Sequence, residues 1–75
     1  MAPYKIGRLI EGIAYVRLRR SSGETYLGRI KKTTEGWKYV VSEGMKTRGI
    51  PNGNESYSTR NNAAQALWEA THRDI

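Results

Sequence analysis

The sequence predicts an α+β fold, an antiparallel β-meander of three to five strands packed on one C-terminal helix. Three observations carry this expectation. Turn signals recur at Glu11-Gly12, Ser21-Ser22-Gly23-Glu24, Thr34-Glu35-Gly36 and Glu43-Gly44, and short runs rich in β-branched and aromatic residues lie between them. Strands of this kind, punctuated about every 8–12 residues, form antiparallel sheets. Residues 61–70 then run without a breaker, with apolar groups at helical spacing.

Taken in order, strands are expected at about 5–10, 13–20, 25–33, 37–42 and 56–58. Register decides which side chains share a face, because a slip of one residue exchanges the two faces. If each central turn is a three-residue loop ending in glycine, Leu18 pairs with Tyr26, Val16 with Gly28 and Ala14 with Ile30. Ile30 then pairs with Val40, and Lys31 with Tyr39. One face would hold Ala14, Val16, Leu18, Tyr26, Ile30 and Val40 as the core side. The other would hold Tyr15, Arg17, Arg19, Leu27, Arg29, Lys31, Trp37, Tyr39 and Val41, basic with interleaved aromatics.

Residues 43–55 read as a loop, with three glycines, one proline and two asparagines, and only Met45 and Ile50 as sizeable apolar groups. Lys46 and Arg48 make it either a flexible basic arm or a plain connection. The helix is expected at about 60–72, capped by Ser58 or Thr59. Ala63, Ala64, Leu67, Trp68 and Thr71 lie three and four apart and form the stripe that packs on the sheet. A helix this short depends on that packing for its stability.

At 75 residues the chain makes one domain, 1–75, with a thin core. Cysteine is absent, which removes disulfides and thiolate ligands. No apolar run approaches the roughly 20 residues of a membrane span. The opening Met1-Ala2-Pro3-Tyr4-Lys5-Ile6 has no uninterrupted apolar core, so a secretion signal is not expected and the cytoplasm is the expected compartment. Thirteen Lys and Arg face seven acids, a net charge of +6. Glu11, Glu24, Glu35, Glu43 and Glu55 sit at turn-like breaks, leaving the strands more basic than the total. That is the footprint of a polyanion partner, although a basic balance also serves solubility.

Groups for catalysis are scarce. His72 is the single histidine, and its expected role is with the helix C-terminal dipole. No Cys/His spacing for zinc and no phosphate-binding loop occur, and the glutamates are scattered among turns. A binding module is therefore expected, without metal or cofactor, and not an enzyme. Trp68 belongs to the helix stripe. Trp37 either packs within a hairpin or stacks on a nucleic-acid base. Tyr15 and Tyr39, alternating with cations, favour the second use. Arg17, Arg19, Arg29 and Lys31 can supply phosphate contacts, or can form the wet side of an ordinary sheet.

Three short motifs add a resemblance. Tyr26-Leu27-Gly28-Arg29, Gly36-Trp37-Lys38-Tyr39, and Tyr57-Ser58-Thr59 ahead of Ala63-Ala64-Gln65-Ala66-Leu67 resemble the DNA-binding domain of plant ethylene-response factors and the arm-binding domain of phage-type integrases. The resemblance implies three antiparallel strands on one helix, with the sheet in the DNA major groove and Arg29, Lys31, Trp37 and Tyr39 directed at it. This sequence departs from the pattern in its extra leading strands and its longer 43–55 loop. The composition also suits phage or mobile-element accessory proteins. Nucleic acid, with double-stranded DNA favoured, is the expected partner, through Tyr15, Arg17, Arg19, Arg29, Lys31, Trp37, Tyr39, Lys46 and Arg48. The alternative is an interaction or inhibitor module for an acidic protein surface.

Overall fold

The computed structural model describes residues 4–21 and 23–72. Four antiparallel strands, β1 (Tyr4–Ile6), β2 (Ile13–Arg20), β3 (Gly23–Thr33) and β4 (Gly36–Val41), lie side by side in chain order. A short helix α1 (Glu43–Thr47) follows, and α2 (Arg60–Thr71) closes the domain by packing on β3 and β4. The expected meander with one closing helix is therefore present.

The first hairpin closes on a two-residue turn. Ile10 and Ile13 exchange both backbone hydrogen bonds, at 2.9 and 3.0 Å, around Glu11 and Gly12, whose φ angles are 52° and 77°. Two-residue turns whose twist matches the flanking strands need positive φ at both central positions. Glycine adopts this readily, whereas Glu11 does so against its Cβ. The strand expected over 5–10 ends at Ile6; the Gly7 N–H still donates to the Tyr15 carbonyl at 2.7 Å, and the Ile10–Ile13 bridge follows.

The register departs from expectation in two places. Ala14–Ile30 and Val16–Gly28 pair as anticipated, but Arg17 then pairs with Tyr26 and Leu18 with Thr25. Leu27 is the extra residue of a β-bulge, which turns its side chain into the core while Tyr26 moves outward. Leu27, expected outside, is fully buried, and Tyr26, expected inside, is 40% exposed. Arg20 pairs with Gly23, so this turn is one residue shorter than the anticipated loop, and Ser22 lies outside the described residues. The next hairpin is also shorter: Thr33 pairs with Gly36 around Thr34-Glu35. Thr33 Oγ1 accepts the Glu35 N–H and donates to the Gly36 carbonyl, tying the turn.

The second change exchanges the faces of β4. Ile30 now faces Tyr39, Lys32 faces Trp37 and Gly28 faces Val41. Trp37, Tyr39 and Val41 point to the helix side, and Val40 pairs with Arg29 on the opposite side. The driving force is apolar area. This register offers two aromatics and a valine to the core, where the other offers Val40 and the charged Lys38. At Gly28 the β3 and β4 backbones come so close that a Cβ would run into the Val40 carbonyl oxygen.

The core lies between the inner sheet face and α2. Ala14, Val16, Leu27, Ile30, Val41, Ala63, Ala64 and Leu67 are buried there. Thr59 is the α2 cap, its hydroxyl accepting the Asn62 N–H at 3.1 Å. The expected stripe packs inward, with Thr71 donating to the Leu67 carbonyl at 2.9 Å and Trp68 only partly covered, against Tyr4. Among the described residues, no buried side-chain polar atom lacks a partner.

Within residues 43–55, expected as loop, five residues form α1 and the segment packs on the domain. The Ser42 side chain accepts the Met45 N–H to start α1, and Met45 and Ile50 are both buried in the core. Five residues including a glycine are too few to show helical periodicity, which is why the segment reads as loop. Beyond it the chain runs along β4. Asn52 Oδ1 accepts the Val41 N–H, Gly53 donates to the Tyr39 carbonyl, and Trp37 and Tyr57 exchange two bonds at 2.8 and 2.7 Å. The strand expected at 56–58 is this single bridge. The segment covers what would otherwise be an exposed sheet edge.

Candidate nucleic-acid interface

Alternation along each strand places a defined set of side chains on the outer face, away from α2. From β2 come Ile13, Tyr15, Arg17 and Arg19. Their partners on β3 are Lys31, Arg29, Tyr26 and Glu24. Lys38 stands opposite Lys31, and Lys5 opposite Arg17. The face thus carries Lys5, Arg17, Arg19, Arg29, Lys31 and Lys38, with Glu24 as the carboxylate among them.

Its electrostatics are unbalanced. Arg17 pairs with Glu24 at 3.5 Å, and Lys38 with Glu35 of the adjoining turn at 3.8 Å. The Arg17–Glu24 pair is about half exposed, so its worth is small, about 0–1 kcal/mol. Among the described residues, Lys5, Arg19, Arg29 and Lys31 form no ion pair within 4.0 Å. Two cross-strand pairs, Lys31–Lys38 and Lys5–Arg17, set cation directly against cation. Like charges in that arrangement oppose folding.

Aromatic side chains interrupt the charge at the centre. The Tyr15 and Tyr26 rings lie 5.7 Å apart, tilted by 53°, and are 50% and 40% exposed. At one end of the face, Arg8, Ile10, Glu11, Ile13 and Tyr15 line an open cleft of about 270 Å³. Ile10 and Leu9 are exposed beside it.

Of the residues the sequence singles out, Tyr15, Arg17, Arg19, Arg29 and Lys31 are brought together on this face. Trp37 and Tyr39 are not: they lie on the helix side, where Trp37 bonds Tyr57 through its backbone and the Tyr39 ring stacks on that of Tyr57 at 6.5 Å. Burial, followed by the nearby Glu55 carboxylate, raises the pKa of both Tyr39 and Tyr57. Lys46 belongs to α1, paired with Glu43 at 3.6 Å, and Arg48 is the cap that follows; neither is part of the sheet. Lys5, which the sequence did not single out, is on it. Tyr26 and Lys38 join it for the register reasons given above. The adjacency of Leu27 and Gly28 was the available signal, since an apolar residue followed by glycine breaks strand alternation and marks a bulge.

His72 caps α2, with Nδ1 3.0 Å from the Glu69 carbonyl oxygen, as its place in the last turn implies. Among the described residues, no group of three or more His, Cys, Asp or Glu side chains could hold a metal, and no helix is long and apolar enough to cross a membrane. Comparison with protein families, curated proteins and solved structures found no match.

Proposed function

We propose that this domain is a nucleic-acid-binding module, a binding protein and not an enzyme, that uses the outer face of its sheet. The observation that carries this reading is that Lys5, Arg19, Arg29 and Lys31 form no ion pair among the described residues, while the register sets Lys31 across from Lys38 and Lys5 across from Arg17. Folding gains nothing from them, whereas a phosphate backbone laid over the face turns each repulsion into an attraction. Arg17, Arg19, Arg29 and Lys31 lie on the two adjacent central strands, and Tyr15 and Tyr26 supply ring contacts between them.

The test is affinity against salt. If Lys5, Arg19, Arg29 and Lys31 each neutralise one phosphate, the log–log slope is roughly −3.6 on duplex DNA and roughly −2.8 on a single strand. Arg29→Ala and Lys31→Ala should each weaken binding and flatten the slope by about 0.7–0.9. Arg60, exposed on α2 behind the sheet, is the control, and its alanine variant should bind like the parent. Equal losses at Arg60 and Arg29 would show diffuse attraction and defeat the sheet-face mechanism.

A second reading, an acidic protein partner, is favoured by Ile10, which lines the cleft at the end of the same face and is 61% exposed. Tyrosine and arginine are also frequent anchors of protein interfaces. Failure to bind any nucleic acid or heparin would select this reading.

A further inference from the structure

We infer that the outer face takes a single strand of nucleic acid, with bases stacked on Tyr15 and Tyr26; this rests on the nucleic-acid reading above. Three observations lead there. Both rings are substantially exposed on the two central strands and tilt against each other at 5.7 Å. The faces of duplex bases are covered by their neighbours and only edges are offered in the grooves, so exposed rings have nothing to stack on in a duplex. Single strands present base faces, and recognition of them relies on aromatic platforms bordered by cations.

The width of the sheet points the same way. At the rung Ile6–Val16–Gly28–Val41, where all four strands lie abreast, they span about 14 Å between the outer backbones at about 4.8 Å per step. The major groove of B-DNA is about 12 Å wide and admits a helix or a two-stranded ribbon. At that rung the sheet exceeds it even before side chains are added. On a single strand the same width is useful, because Lys5 and Arg17 on one side and Arg29, Lys31 and Lys38 on the other flank the two rings and can hold phosphates either side of the stacked bases.

The cleft beside Tyr15 completes the site. Its volume of about 270 Å³ is below the range for drug-sized ligands and suits one ring system. Ile10 and Ile13 form apolar walls continuous with the Tyr15 ring, and the Arg8 side chain stands at the lining. A base leaving the Tyr15 platform enters it, which accounts for apolar side chains left open to water at the end of a basic face.

The experiment compares a labelled single-stranded DNA of mixed sequence, its RNA equivalent and the matching duplex, by fluorescence anisotropy with the intact chain. The single strands should bind at least about 10-fold more tightly than the duplex. Tyr15→Ala and Tyr26→Ala should each weaken single-strand binding by about 5- to 150-fold, the range for one stacked base, while the salt slope stays constant. Tyr15→Phe and Tyr26→Phe should bind like the parent, since the ring and not the hydroxyl does the stacking. Because both rings are exposed, circular dichroism should show all four variants folded. Tighter binding to the duplex, or alanine variants that bind single strands unchanged, would overturn the inference and leave the nucleic-acid reading standing. No binding to any of the three ligands would remove both.

Discussion

The bulge at Leu27 sets which face of β3 is which, and a pair of substitutions tests it. Leu27 is fully buried, whereas its neighbour Tyr26 is 40% exposed. Leu27→Ala removes a buried methine and its two methyl groups beneath α2 and leaves a cavity, which costs about 2–5 kcal/mol, with about 3 as a central value. A 75-residue domain holds about 4–11 kcal/mol in total at the usual per-residue stability. Leu27→Ala should therefore lower Tm by about 12–24 °C, at about 4–8 °C per kcal/mol for a domain of this size. Tyr26→Ala loses mainly its tilted contact with Tyr15. An aromatic pair of that kind is worth about 1 kcal/mol, so Tm should fall by about 4–8 °C. Urea unfolding with intrinsic tryptophan emission, backed by a thermal scan, reads both values. In a regular strand without the bulge, the order of the two losses reverses. Equal losses, or a larger one for Tyr26→Ala, would refute the register and with it the composition of the outer face.

Two further predictions follow from local geometry. Glu11 holds φ at 52° in the two-residue turn, a position where asparagine is favoured, so Glu11→Asn should stabilise the domain by about 0.5–1 kcal/mol in urea unfolding. A loss of stability would mean that the turn is not of this type. The phenols of Tyr4, Tyr39 and Tyr57 have pKa values raised above 10.0, chiefly by burial and then by Glu69 for Tyr4 and Glu55 for the other two. The folded state therefore keeps protons that the unfolded chain releases first as pH climbs past 10.0. Stability should hold steady below that pH and decline above it, until the folded phenols titrate as well. Urea midpoints measured on either side of pH 10, alongside phenolate absorbance, check this; a midpoint that rises there would contradict it.

Much of the architecture is written locally in the chain. The glycine-bearing turns, the capping Thr59, the Ala63–Ala64–Leu67–Thr71 stripe and the place of His72 depend on residues within a few positions of each other, and all are read without knowledge of the packing. The cations Arg17, Arg19, Arg29 and Lys31 are grouped correctly for the same reason, since Ala14–Ile30 and Val16–Gly28 pair as alternation implies. What is not local is how many residues each turn uses and where a strand absorbs an extra one. Thr34-Glu35 closes a two-residue turn because that lets Trp37, Tyr39 and Val41 reach the core beneath α2, a gain supplied by residues some twenty or more positions downstream. The burial of Leu27, the outward turn of Tyr26, the arrival of Lys5 beside Arg17 and the docking of Met45 and Ile50 all follow from that packing. The sequence by itself determined the meander, its helix and its charge. Only the tertiary structure decided which aromatics share a face with that charge, because a one-residue change of register costs little in backbone hydrogen bonds and is settled by the apolar surface that the helix can cover.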